Sequence, residues 1–243
     1  MPPYEASQMP LSFFLKFFQN HGLFKLKNRP QWYTVTNRSR AYVSKILNKI
    51  SGEHYKNYKI NLIKRHKENI EIFYGEKNEF FIYDKVVIAT HADEALSILE
   101  KPTDEEKNLL SNFKYKNNLA VIHTDKNQMP RNKKAWSAWN AKLSKNVREN
   151  SSITYWLNLL QNLKIDEDIF LSLNPFDKIE EKKILNKVTF THPYYDKLAL
   201  ENQARLKKIQ NVNNTLFCGS YFGYGFHEDG ITSAIDMLKS FHD

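Results

Sequence analysis

Phe217-Cys218-Gly219-Ser220-Tyr221-Phe222-Gly223-Tyr224-Gly225-Phe226-His227-Glu228-Asp229-Gly230-Ile231 holds four of the seven glycines in this 243-residue chain. A short apolar strand, Thr215 to Cys218, leads into it. Beyond it Ile231, Ala234, Ile235, Leu238 and Phe241 recur at helical spacing. Asp229 stands where an N-cap belongs and Gly230 opens the first turn. Glycines let backbone approach a ligand, and a helix start offers unpaired N–H groups and a positive dipole end. Strand, glycine loop and helix N-terminus therefore suit an electron-rich or anionic group. The same pattern also serves as a tight strand-to-helix turn, and spacing leaves both readings open.

Working outward, Tyr195 to Ile209 reads as a helix leading into that strand. Residues 115–191 read as predominantly β, with Leu119–Thr124, Ala135–Asn140, Ile153–Leu157 and Ile169–Leu173 as antiparallel strands. Trp136, Trp139 and Trp156 fall on or near its packed face. Pro102-Thr103-Asp104-Glu105-Glu106 starts a helix through Phe113, with proline and acids in its first turn. Val86–Thr90 is a continuous apolar run, as in a parallel strand buried on both faces, and Ala92–Leu99 has helix character. From Glu53 the period is two: Tyr58–Arg65, Ile70–Tyr74 and Glu79–Tyr83 read as strands, with a turn at Tyr74-Gly75-Glu76-Lys77. Nearer the start, Leu11, Phe14, Leu15 and Phe18 mark an amphipathic helix stopped by Gly22. A second helix, capped by Ser39, runs to Ile50 with Tyr42, Val43, Ile46, Leu47 and Ile50 on its buried side.

At 41% hydrophobic and 14% aromatic residues the chain is globular and long enough for a real core. Its net charge of +9 comes from cations scattered among acids. No basic run is interleaved with aromatics, so no nucleic-acid partner is expected. Cys218 is the single cysteine, which excludes an internal disulfide and fits a reducing, cytoplasmic location. No stretch reaches the length of a membrane span, so membrane contact is at most peripheral. A phosphate-binding P-loop, a G-x-S-x-G elbow and paired metal-spaced cysteines are all missing. His227-Glu228-Asp229 is no metal site, because adjacent side chains on a turn point apart. Gly223-x-Gly225-x-x-Glu228 breaks the dinucleotide fingerprint at its third position.

Three stretches carry a resemblance: Val86 to Leu96 (VVIATHADEAL), Met129-Pro130-Arg131 with Trp136-x-x-Trp139-Asn140, and Cys218 to Gly230. Together they resemble a family of FAD-dependent oxidoreductases related to flavin amine oxidases, protoporphyrinogen oxidase and phytoene desaturase. The resemblance implies a mixed α+β and α/β fold. Residues 53–90 and 213–243 would be parts of a glutathione-reductase-like FAD-binding domain. Residues 1–52 and 91–212 would form a substrate domain of helices and antiparallel sheet. It implies FAD as cofactor and the following contacts. Gly219 and Ser220 would lie beside the pyrophosphate and ribityl chain, and Asp229, Gly230 and Ile231 at the isoalloxazine N1/O2 edge. Ile60, in Asn57-x-x-Ile60, would meet the adenine, and Thr90 would end the strand that returns to the cofactor. Tyr221, Tyr224 and His227 would line the substrate side; no catalytic residue and no metal ligand is implied.

Two departures qualify it. The family begins with a βαβ unit carrying G-x-G-x-x-G, and that unit is not in this sequence. Thr36-Asn37-Arg38-Ser39-Arg40 also stands where relatives show a Gly-Gly-Ser-Arg type of turn. The chain thus matches the C-terminal part, about 60%, of such an enzyme. The expected function is hydride transfer to flavin from an organic substrate, either a small molecule or a lipid-like one. The alternative is a non-catalytic remnant, or one subunit of a split flavoprotein whose other chain carries the dinucleotide-binding unit.

Overall fold

A computed structural model describes residues 9–31, 33–77, 79–144 and 151–241. The chain divides into two compact units, residues 1–16 with 116–192 and residues 17–115 with 193–243. In chain order the elements are α1 (Leu11–Asn20), α2 (Arg38–Leu47), β1 (Ile60–Arg65), β2 (Ile70–Tyr74), β3 (Glu79–Tyr83), β4 (Val86–Ile88), α3 (Ala92–Ile98), α4 (Asp104–Leu110), β5 (Lys114–His123), β6 (Trp139–Leu143), β7 (Ser151–Trp156), α5 (Leu157–Leu160), β8 (Phe170–Leu173), β9 (Ile184–Tyr194), α6 (Lys197–Gln203), β10 (Thr215–Phe217) and α7 (His227–Leu238).

The first unit is built on a five-stranded sheet in the order β6-β7-β8-β5-β9. β6–β7, β7–β8 and β5–β8 pair antiparallel, as the alternating patterns in this region predict. Phe170, Val121, Ala120 and Met129 are buried in it, with His123, Thr154 and Ser172 as a polar inset. Trp136 packs edge-on against Trp156 and Phe170, at 5.3 and 5.5 Å between ring centroids. Trp139, by contrast, is 60% exposed. Ala135–Asn140 is not one strand. Residues 133–135 form a 3₁₀ turn capped by the Asn132 carboxamide, and β6 begins only at Trp139. The eleven-residue β9 falls within the region read as β but was not singled out as a strand, and it is mostly exposed.

The second unit holds the β1-β2-β3 antiparallel meander, with Gly75 at φ 67° in the turn after β2. It also holds a two-stranded parallel sheet, β10-β4, in the register Thr215/Val86, Leu216/Val87 and Phe217/Ile88. β4 is not covered on both faces as its apolar run predicts: Val86 and Ile88 are buried, but Val87 is 40% exposed. α4 has the predicted acids in its first turn, but Pro102 precedes its N-cap and it ends at Leu110, short of Phe113; its start is set by a Thr103/Glu106 capping box. Arg65 on β1 reaches that box with two hydrogen bonds to the buried Glu106 carboxylate, at 2.6 and 2.9 Å.

The two N-terminal helices depart from expectation. α1 stops at Gly22, φ 63°, as predicted, yet has no buried residue. α2 is not capped by Ser39; it follows Asn37, which is left-handed at φ 61° and makes no side-chain cap bond. Its predicted inner face is not buried either, with Val43, Ile46, Leu47 and Ile50 all exposed. Amphipathic spacing finds a helix but cannot say what covers it.

Candidate functional site

β10 delivers the chain into a loop that holds itself together. The Phe222 N–H donates to the Gly219 carbonyl at 3.2 Å, and the Gly223 and Gly225 N–H groups both donate to the Ser220 carbonyl at 3.1 Å. From behind, Gln203 donates its carboxamide to the carbonyls of Tyr221 and Gly223, at 2.9 and 2.6 Å. Ser233 joins loop to helix: its hydroxyl accepts the Gly219 N–H at 2.9 Å and donates to the Gly230 carbonyl at 2.7 Å.

Three of the four glycines are required by the chain's own atoms. A Cβ on Gly219 (φ 154°) would lie 2.8 Å from the Tyr221 ring, and one on Gly225 (φ 94°) 3.0 Å from the Tyr195 hydroxyl. One on Gly223 would lie 2.2 Å from an Asp229 carboxylate oxygen. Gly230 differs: nothing approaches its missing Cβ closer than the Ser220 nitrogen, at 3.9 Å.

The helix start is the main correction. α7 begins at His227, with Phe226 as N-cap, three residues before the predicted start. Asp229 is the third helical residue, and its carboxylate reaches back to accept the Phe226 N–H at 2.9 Å. The Gly230 N–H donates to the Phe226 carbonyl at 3.1 Å and is committed to the helix. Amides left over at the helix start therefore belong to residues 227–229.

An open depression of about 410 Å³ lies between the end of β4, the loop and α7. Of the predicted contacts it brings together Gly219, Ser220, Gly230 and Ile231. The Thr90 carbonyl sits near its rim, 3.6 Å from where a Gly219 Cβ would be. Ile60 is not part of it, since it starts β1 opposite Tyr74. Asp229 faces the other side of α7, into a second pocket of about 300 Å³ with Gln203, Lys207 and Asp236. Its negative charge is thereby turned away from the depression. Ala89, Phe226 and Ala234 line the depression without having been marked by sequence, because small and apolar residues carry no chemical signature.

The aromatic residues of the loop divide by role. Tyr221 is 2% exposed, packs edge-on against Phe113 at 5.1 Å, and has a buried hydroxyl with no hydrogen-bond partner among the described residues. Burial drives its pKa well up, so it stays a neutral phenol. Tyr115 is pushed up to about 12 by burial, opposed by the Ala92 N–H that donates to its hydroxyl at 2.9 Å. Tyr224 and Phe226 pack against Phe17, each at 5.9 Å. His227 lines the depression and is hydrogen-bonded through Nδ1 to the Tyr42 hydroxyl. Tyr221 is thus a support beneath the loop, and only His227 of the three predicted substrate-lining residues reaches the depression.

In the other unit, His123, Ser172 and Asp125 resemble a nucleophile triad in composition but not in geometry. His123 Nε2 lies 2.8 Å from the Ser172 Oγ, while its Nδ1 accepts the backbone N–H of Asp125 at 3.1 Å. Nδ1 is therefore the unprotonated nitrogen and Nε2 the donor, the wrong tautomer for a base toward serine. Ser172 is also fully buried. Among the described residues no group of three His, Cys, Asp or Glu side chains is placed to hold a metal ion, and no helix is long and apolar enough to cross a membrane.

No protein family matches the chain by sequence, and neither does any curated protein. Solved structures do match by shape. A candidate protoporphyrinogen oxidase from Exiguobacterium sp. 255-15 superimposes at TM-score 0.63 and 10% identity, over 94% of this chain and 57% of its own. The CLA-producing fatty acid isomerase of P. acnes does so at TM-score 0.60 and 14% identity, over 87% and 53%. A putrescine oxidase double mutant, redesigned in its cofactor binding, gives TM-score 0.55 at 8% identity, over 84% and 53%. The chain thus spans about half the length of the structures it matches. At these identities the likeness is one of fold: this chain is folded as part of those oxidase and isomerase structures.

Proposed function

We propose that the depression beside Gly230 takes the isoalloxazine end of FAD, and that the chain belongs to an oxidoreductase moving a hydride from an organic substrate to that cofactor. One observation carries the reading. Gly230 is the loop glycine whose missing side chain opens onto space instead of the chain's own atoms, at the N-terminal turn of a helix. The surroundings fit a flat, partly apolar ring system with a polar edge. Ile231, Ala234, Phe226 and Ala89 give apolar walls, while Ser220 and the first-turn amides of α7 give donors. Asp229 is held on the far side by the Phe226 N–H and by the close approach of Gly223. The depression keeps the positive helix end without the acid's charge.

Bound flavin would supply the two-electron chemistry. The residues of this chain would orient it, keep water from one side, and stabilise negative charge at its pyrimidine edge. Gln203, Ser233 and the Tyr221 ring would fix the loop that does so. The matched structures are named for protoporphyrinogen, a fatty acid and putrescine, so one fold serves several substrates. The reading accordingly names a reaction class.

The sequence holds no G-x-G-x-x-G turn for the phosphates, which makes the test specific. Riboflavin and FAD at millimolar concentration should raise the melting temperature of the purified chain by similar amounts. Gly230→Val, whose Cβ would meet nothing closer than the Ser220 nitrogen at 3.9 Å, should abolish both shifts and leave the unliganded melting temperature within about 2 °C. Absence of a shift with either ligand on a folded chain would refute the assignment.

A further inference from the structure

Met129-Pro130-Arg131 and Asn140 do not line the depression beside Gly230. In the first unit they meet around a cavity of their own, of about 470 Å³, completed by Asn127, Gln128, Ala141 and Lys142. Its walls are fixed by bonds within the chain. The Trp136 indole N–H donates to the Pro130 carbonyl at 2.7 Å. The Asn140 carboxamide accepts the Ser137 N–H at 3.0 Å and donates to the Thr154 carbonyl at 3.2 Å. The Asp125 carboxylate holds the turn at 126–128 by accepting the Asn127 N–H at 3.1 Å. Gln128 and Met129 are each only 6% exposed. The cavity is thus pre-formed, and its size falls within the range of about 300–1,000 Å³ usual for small-molecule sites.

Its polar groups have one sign. Lys142 is already paired with the Asp177 carboxylate. Arg131 is exposed and meets no acid among the described residues, and the Asn127 carboxamide makes no hydrogen bond among them. No acid lines the cavity among the described residues, so one positive charge is left uncompensated there.

The backbone adds a donor. β6 is the outer strand of its sheet. The Trp156 N–H donates to the Ala138 carbonyl at 3.0 Å, which makes 138 and 156 a hydrogen-bonded pair in the register of Trp139 with Tyr155. Such pairs alternate along antiparallel strands, so Asn140 and Lys142 bond back to β7. The Ala141 N–H turns outward from the sheet, and Ala141 lines the cavity.

We propose that this cavity is a binding site for a small organic carboxylate, seated on the Arg131 guanidinium, with the Asn127 carboxamide and the Ala141 N–H as further donors. Met129, Pro130 and the Ala141 methyl give its carbon body an apolar floor. A guanidinium presents two parallel N–H groups that match the two oxygens of a carboxylate. Charge also selects a monoanion. A phosphate dianion would bring a second negative charge with no free cation to meet it, because Asp177 holds Lys142. An amine would face Arg131 with no acid beside it. The site is built from the first unit alone and stands whatever the depression binds.

The full chain, labelled with nitrogen-15, should be titrated with hexanoate, inorganic phosphate and hexylamine, each to about 20 mM, and followed by NMR. Hexanoate should move the Arg131 and Ala141 amide resonances saturably, with a Kd on the order of 1 mM, while phosphate and hexylamine leave them in place. Arg131→Gln should weaken hexanoate binding about tenfold with the melting temperature unchanged. If that variant does not fold, Arg131→Lys, which keeps the charge but loses the planar fork, should still weaken binding several-fold. The proposal is overturned by the absence of a saturable hexanoate shift, by phosphate or hexylamine binding at these amides as tightly as hexanoate, or by a folded Arg131 variant that binds hexanoate like the parent.

Discussion

Asp229 shows how much one residue's position changes its role. Residue type marks it as an N-cap, and type is a fair guide at helix starts. Two facts outside the local sequence decide otherwise: the Phe226 carbonyl takes the Gly230 N–H, and Gly223 leaves room for a carboxylate against the loop. The glycine was legible as necessary; that it makes space for an acid of its own chain was not. Gly223→Ala should therefore destabilise the second unit by about 1–3 kcal/mol, the usual cost of overpacking. Urea denaturation would check it. Asp229→Ala in the same background should recover much of the loss, and an additive double mutant would refute the contact. Residues 37 and 38 carry a related lesson. Both are left-handed, at φ 61° and 64°, a conformation that glycine takes more readily.

Among elements, those set by period and turn chemistry were readable. β1, β2 and β3 follow alternation closed by Gly75, and α4 follows the acids of its first turn. The bounds of β9, the missing cover of α2 and the exposure of Val87 on β4 were not readable, because each depends on what does or does not lie against it. The pairing of β1 to α4 is similarly invisible in sequence, since Arg65 and Glu106 are far apart along the chain. Their side chains are 5 and 0% exposed, and the same carboxylate accepts the Thr103 N–H at 2.7 Å. Glu106→Ala would strand a buried guanidinium and uncap the helix, and should cost about 3–5 kcal/mol. Thr103→Ala, which loses only the cap, should cost about 1 kcal/mol. Equal losses in chemical denaturation would mean that the ion pair adds nothing.

For the molecule as a whole, the mixed fold was legible. Gly219, Ser220, Gly230 and Ile231 line one depression, while the Asp229 side chain faces the other side of α7 and Ile60, expected at the far, adenine end of the cofactor, lies at the start of β1. Three groups of the first unit, His123, Asp125 and Asp168, tie its stability to pH. Burial lowers the His123 pKa to about 4, against a weaker opposing pull from Asp125. The unfolded chain therefore takes up this proton first. The contribution is complete above pH 6.5 and is lost as pH falls from 6.5 to 4, by at most about 3 kcal/mol. Asp125 and Asp168 act lower. Burial raises each carboxyl, but backbone N–H groups and Lys183 outweigh it for Asp125, and Lys126 and Lys133 for Asp168. Both end below the ordinary range, and their contribution fades below pH 4. Tryptophan fluorescence from Trp136, Trp139 and Trp156 can follow this unit. His123→Gln should flatten the slope between pH 6.5 and 4 while leaving the steeper fall beneath it, and an unchanged slope would exclude His123 as its source.

The amide of Gln210 has a bearing on assembly. A sheet open at both borders can propagate without limit, each added molecule offering a fresh template to the next, and such chains end as fibres. By occupying one border with a side chain, Gln210 makes the parallel sheet a terminus. Its carboxamide accepts the Phe217 N–H at 2.9 Å and donates to the Phe217 carbonyl at 2.8 Å, so a strand of another molecule finds no open backbone pair there to join β10.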